Sequence, residues 1–329
     1  MAHHGGSDPD GGQDEDMEGG DEGFRPDSAV DIAISYGTGS VDPAVYEFIE
    51  ENGRTYHSYK AGRYLLPNDE REYEREALEH QLFLLAMDNE YYFSPVGELH
   101  NVLDVGTGTG LWAIEMAELH PSAHVIGTDL SPIQPDFVPV NCHFEIDDAE
   151  DQWVYPQKFD LIHFRSCAYN FLHPQSVIHS AADALSLNGW VEVQDYMFPL
   201  RCDDGSWDGT ALQRWSHLIS QSLLRAGRPF YSEHWGAMFR AAGLVDVREE
   251  RFFWPLNAWP KGEENKDIGR ICTINTQESL ESVGMAILTR YGGMPLDEVM
   301  RLTEEAKCVV SDIRCHVYLP VTVVMGRRA

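Results

Sequence analysis

The sequence predicts an α/β fold, a doubly wound parallel sheet, and three observations carry that prediction. Short apolar strand candidates alternate with helical segments through the middle of the chain. The first of these strands runs into a glycine-rich turn that opens a helix. Several strand candidates end in a carboxylate, at the rim where a sheet of this class binds ligands.

The elements follow in order. Residues 1–27 hold nine acidic residues, one Arg and seven Gly, with no apolar periodicity, which predicts a disordered acidic tail. Residues 28–98 read as an N-terminal helical segment. From Tyr46 to about Phe93 the pattern is largely helical, broken at Leu66-Pro67-Asn68-Asp69. A helix capped by Asn68 or Asp69 then sets Leu78, Leu82, Leu85 and Ala86 on one face.

The sheet domain spans 99–329, with strands at Asn101–Val105, His124–Asp129, Cys142–Ile146, Phe159–Phe164 and Trp190–Gln194. A helix near Gly209–Ala226 spaces Leu212, Trp215, Ile219 and Leu223 as a core face, and another runs Ser232–Ala242. Val245–Phe253 and Val317–Gly326 read as two late strands. Between them lies an insertion, about 254–315, with helical patterns near Gln277–Thr289 and Leu296–Asp312. So long a connection shapes a pocket or an interface.

Composition narrows the function. With 24 Lys and Arg against 54 Asp and Glu, the net charge of −30 disfavours direct nucleic-acid binding and leaves a basic or regulatory protein partner open. No stretch is apolar enough to span a membrane, and no signal peptide opens the chain, so the expected place is the cytoplasm or the nucleus. Six cysteines lack ligand spacing, so no metal site is expected.

The strongest chemical signal is Asp104-Val105-Gly106-Thr107-Gly108-Thr109-Gly110 after an apolar strand. Unhindered glycines and backbone N–H groups there can lie against a nucleoside-bearing ligand. A dinucleotide fingerprint would need Gly at 111, where Leu stands, and a P-loop would need Gly-Lys-Ser/Thr. An acid before the turn suits the ammonium of S-adenosylmethionine. Asp129, about twenty residues on, is a ribose candidate or a helix cap. Asp148, beside Ala149, is a candidate for the adenine amino group, or part of a solvated acidic turn.

These motifs resemble the class I S-adenosylmethionine-dependent methyltransferases, and within them the fungal LaeA-like group. The likeness also rests on Tyr56-His57-Ser58-Tyr59-Lys60, Gly62 to Asp69, Gly127 to Pro135, Phe144 to Trp153, Phe159 to Arg165 and Gly189 to Asp195. It implies a Rossmann-like sheet of about seven strands, the last antiparallel, with S-adenosylmethionine as cofactor. It also implies that Asp104, Gly106 and Gly108 face the methionine part, Asp129 the ribose, and Asp148 with Ala149 the adenine, with Thr107 and Leu130 among the cofactor-binding residues. Ser166-Cys167, and Ser186 to Gly189, depart from the group's usual residues on the acceptor side.

The acceptor side is less marked. Tyr59, Tyr64 and Tyr169 are either an aromatic wall near the sulfonium or ordinary amphipathic core. His163, inside a strand, reads as a core histidine, while nothing in the sequence selects between His57 and His316 as a base. Arg165 is either a fork for a ligand carboxylate or half of a buried ion pair, and Asp195 is an acceptor-side residue or a cap. Trp254 and Trp259 are expected to supply an apolar acceptor wall. The function expected is methyl transfer to a small molecule, an oxygen of a secondary metabolite. The alternatives are a regulator of secondary metabolism acting through protein partners, or a protein methyltransferase.

Overall fold

The structure, a computed structural model, describes residues 46–167 and 170–329. The acidic tail, residues 28–45 and Tyr169 lie outside the described residues.

The helical reading of the chain from Tyr46 gives way at its start to a hairpin, β1 (Phe48–Glu51) paired antiparallel with β2 (Arg54–His57). Its turn is Asn52-Gly53, both with positive φ (54° and 77°), the two-residue connection whose twist matches that of the strands. Helix α1 (Glu70–Ala86) starts where the sequence placed it. Asp69 caps it by accepting from the Glu72 N–H, and the same carboxylate takes two bonds from Arg54 at 2.6 and 2.8 Å. The hairpin thereby fixes the start of the helix.

The main sheet comprises β3 (Asn101–Val105), β4 (His124–Asp129), β5 (Cys142–Ile146), β6 (Phe159–Arg165), β7 (Leu185–Tyr196), β8 (Val245–Pro255) and β9 (Tyr318–Arg327). Its order is β5-β4-β3-β6-β7-β9-β8. The strands β3 to β7 pair in parallel, and β9 lies between β7 and β8, antiparallel to both. Strand order reverses between β3 and β6, so a crevice opens at their carboxyl ends.

Period-two alternation splits the core between the two faces of the sheet. Val102, Val125, Leu161, Trp190 and Val323 pack with α1, α2 (Leu111–Leu119), α4 (Ala211–Arg225), α6 (Glu263–Arg290) and α7 (Leu296–Ser311). Their neighbours Leu103, Ile126, Ile162, Val191 and Val324 pack with α3 (Pro174–Ala184) and α5 (Trp235–Ala241). Both α6 and α7 fall between β8 and β9, where α6 contacts α1, α4 and α7. The pairs Arg71–Glu281 and Arg71–Glu278 join α1 to α6. Among the described residues no helix is long and apolar enough to cross a membrane.

Candidate active site

One cavity runs from the carboxyl ends of β3, β4, β5 and β6 to the space between the sheet and helices α1, α4 and α6. Every cofactor-side residue singled out in the sequence lines it except Tyr59.

The glycine loop bends because Gly106, Gly108 and Gly110 take positive φ of 72°, 57° and 82°, conformations costly to any residue with a Cβ. Asp104 is held on both oxygens: Thr107 Oγ1 donates at 2.7 Å, and His163 Nδ1 lies 2.8 Å away. His163 is fully buried and stacks on Trp112, with ring centroids 3.8 Å apart. As a core histidine it also orients the Asp104 carboxylate.

Asp129 accepts from the Gly108 N–H at 2.9 Å and the Ser131 N–H at 3.0 Å, while burial pushes its carboxyl up to about 6. Its cap-like bond to Ser131 and its place on the cavity are compatible. Asp148 is ion-paired to Lys60 at 2.9 Å and accepts from the Glu150 N–H. Although burial acts the other way, these partners hold its carboxyl below the usual range.

Several expectations on the acceptor side need correction. Tyr59 lies off the cavity, its carbonyl 2.7 Å from His57 Nδ1, so among the described residues Tyr64 alone remains of the three tyrosines proposed as a wall. Asp195 is fully buried away from the cavity, where its carboxylate accepts from Trp235 Nε1 at 2.9 Å and from the Tyr196 N–H. Trp259 packs near His316, with ring centroids 4.9 Å apart, and Trp254 is the member of that pair that reaches the cavity. Neither His57 nor His316 lines the cavity.

Arg165 does line the cavity, and its partners are His80 Nδ1 at 2.8 Å and the Phe83 ring at 5.0 Å rather than a carboxylate. Burial lowers the histidine's basicity, and Arg165 lowers it further. A neutral His80 can therefore accept from Arg165 while donating through Nε2 to Glu115 at 2.8 Å. Ser166, with φ of 57°, donates to Glu79 at 2.6 Å. Arg75 and Ser166 keep the Glu79 carboxyl low against the effect of burial.

Helix α1 supplies what sequence reasoning missed. Arg75, Glu76, Glu79 and His80 all line the cavity. The signal is charge at i, i+1, i+4 and i+5, one helical face, which the leucine stripe of the same helix overshadows. Trp215 and Ile219, read only as core, line the same cavity with Phe198, Phe230 and Leu256.

A family profile described as a methyltransferase domain matches residues 69–249. The secondary metabolism regulator laeA of Aspergillus flavus is 32% identical over 286 residues, 85% of this chain and 78% of that protein. The chain belongs to the LaeA-like methyltransferases. The protein-methionine methyltransferase laeA of Emericella nidulans is 32% identical over 287 residues, 86% of this chain and 77% of its own length. The methyltransferase pytC of Aspergillus terreus is 32% identical over 267 residues, 79% and 82% of the two chains.

The cofactor of this LaeA-like methyltransferase is S-adenosylmethionine. The residues present fit it: Gly106 and Gly108 line the cavity, a Cβ on Gly108 would stand 2.9 Å from Glu76 Oε2 across it, and carboxylates stand at the ends of β3 and β4 and just beyond β5.

Proposed function

We propose that this methyltransferase transfers the methyl group of S-adenosylmethionine to a small, largely apolar acceptor, at an oxygen of a fungal secondary metabolite. The observation that carries the reading is the continuity of the cavity. Its glycine-loop end passes directly into a chamber walled by Phe198, Trp215, Phe230, Trp254 and Leu256. A chamber of that lining favours a compact apolar ligand.

In this reading Asp104, Gly106, Thr107 and Gly108 hold the methionine part, Asp129 and Leu130 the ribose, and Asp148 with Ala149 the adenine. Tyr64 borders the same space. The cofactor supplies an electrophilic methyl group on a sulfonium. What the protein adds is alignment and the exclusion of water, which are the main demands of an in-line displacement. Ser166, Glu79 and Arg165 form the polar end of the chamber, where they can orient an acceptor oxygen. The Tyr196 hydroxyl lies beside them, and burial followed by Glu79 raises its pKa well above the ordinary value.

One relative is named a protein-methionine methyltransferase, which supports a second reading. A methionine thioether is itself apolar and would suit the same chamber, with the acidic surface receiving a basic partner. Incubating the protein with methyl-labelled S-adenosylmethionine and a fungal extract separates the two. Label in the low-mass fraction supports the small-molecule acceptor; label confined to protein supports the second reading and overturns the first.

A further inference from the structure

Glu76 has no part in the roles proposed so far, yet it faces the glycine loop. A Cβ built on Gly108 would stand 2.9 Å from Glu76 Oε2, and that oxygen is buried without a hydrogen-bond partner. The surrounding charge is unbalanced. From α1 it is faced by Glu72, Tyr73, Arg75 and Glu79, and from the end of β4 by Asp129. Arg75 is the cation of that set, and it is shared between Glu72 at 2.6 Å, Glu79 and the Asn275 side-chain oxygen at 3.3 Å.

A carboxylate left in such a place without a counter-charge is costly, so the group keeps its proton. Burial, reinforced by Glu72, Asp129 and Glu79 against the pull of Arg75, pushes the Glu76 carboxyl up to about 8. A cation entering the cavity reverses the balance, since an opposite charge within a few ångströms favours the ionised form.

We propose that Glu76 is a counter-charge for the methyl donor, releasing its proton to solvent when cationic S-adenosylmethionine enters and regaining one once the donor is the neutral thioether S-adenosylhomocysteine. The inference rests on the cofactor assignment above. The proton balance closes over a cycle: one leaves with donor binding and one returns after methyl transfer. Glu76 thus favours the charged donor over the spent product and helps exchange one for the other.

The test is titration calorimetry of the full chain at pH 6.5, in two buffers of different protonation enthalpy, with S-adenosylmethionine and with S-adenosylhomocysteine. The wild type is expected to release close to one proton per donor bound and markedly less for the product. Glu76→Gln should lose that difference and narrow the preference for donor over product by about tenfold, the equivalent of one pKa unit. Equal proton counts for the two ligands in the wild type overturn the inference, and that comparison decides alone if the variant does not fold. Equal counts in wild type and a folded variant overturn it too. Failure of the wild type to bind either ligand overturns both the inference and the cofactor assignment, whereas binding with unchanged proton release overturns the inference alone.

Discussion

Replacing Gly110 with alanine probes the bend that makes the cofactor cradle. Two costs combine there. At φ of 82° an L-residue sits in the left-handed region, worth about 1–2 kcal/mol. The new Cβ would also stand 2.4 Å from Phe144 Cζ and 2.8 Å from Cε1. That ring cannot retreat freely, because a Cβ on Gly127 of β4 would likewise lie 2.7 Å from it. Overpacking of this kind costs about 1–3 kcal/mol, so the total is about 2–5 kcal/mol.

Gly209→Ala is the control, with φ of 75° and nothing within 4 Å of the added atom, which leaves the backbone cost alone. Urea unfolding should place Gly110→Ala below Gly209→Ala by about 1–3 kcal/mol with similar m-values. S-adenosylhomocysteine affinity should fall in Gly110→Ala and hold in Gly209→Ala. Equal midpoints for the two variants would show that Phe144 imposes no packing cost at Gly110.

Three further outcomes are expected. Val283→Trp places a large side chain on the wall of the chamber, so methyl transfer to a small acceptor should be lost while S-adenosylhomocysteine affinity stays within about twofold; a weakened cofactor would place the wall elsewhere. Asp195→Ala removes the acceptor for buried Trp235 and should cost about 1.5–3 kcal/mol in urea unfolding without altering cofactor affinity. In the ligand-free protein Glu76 holds its proton more tightly than it does at its ordinary value of 4.5 in an unfolded chain, so folding stability falls as pH rises from about 4.5 to about 8. Glu76→Gln should lack that decline, and the gap in melting temperature should widen from pH 5 to pH 8.5; a constant gap contradicts the assignment of the proton.

The parallel sheet was legible because both its faces are buried, which makes strands such as Val102–Val105 and Val125–Ile126 nearly continuous apolar runs. The hairpin at Phe48–His57 was not, since its strands are short and a charged run masks the Asn52-Gly53 turn. Helix α6 extends well before Gln277. Its first half buries Ile268 and Cys272 but also Asn275, which blurs the apolar stripe. The glycines and acids that line the strand-end part of the cavity were legible because the turn after β3 demands glycine at fixed offsets. The acceptor side was not, because it is assembled across α1, α4, α6 and β8 by long-range packing that leaves no local motif. Asp195 illustrates the limit: a strand-end acid looks the same in sequence whether it faces the cavity or holds a tryptophan.

On the proposed function, the acids and glycines at the strand ends hold S-adenosylmethionine in this cavity. Calorimetric titration of wild type and Asp129→Ala with S-adenosylhomocysteine tests it most directly. Binding at micromolar Kd or tighter, about −8 kcal/mol, is expected, weakened at least tenfold in the variant. Absence of binding by the wild type, or equal affinity in the two proteins, would contradict it.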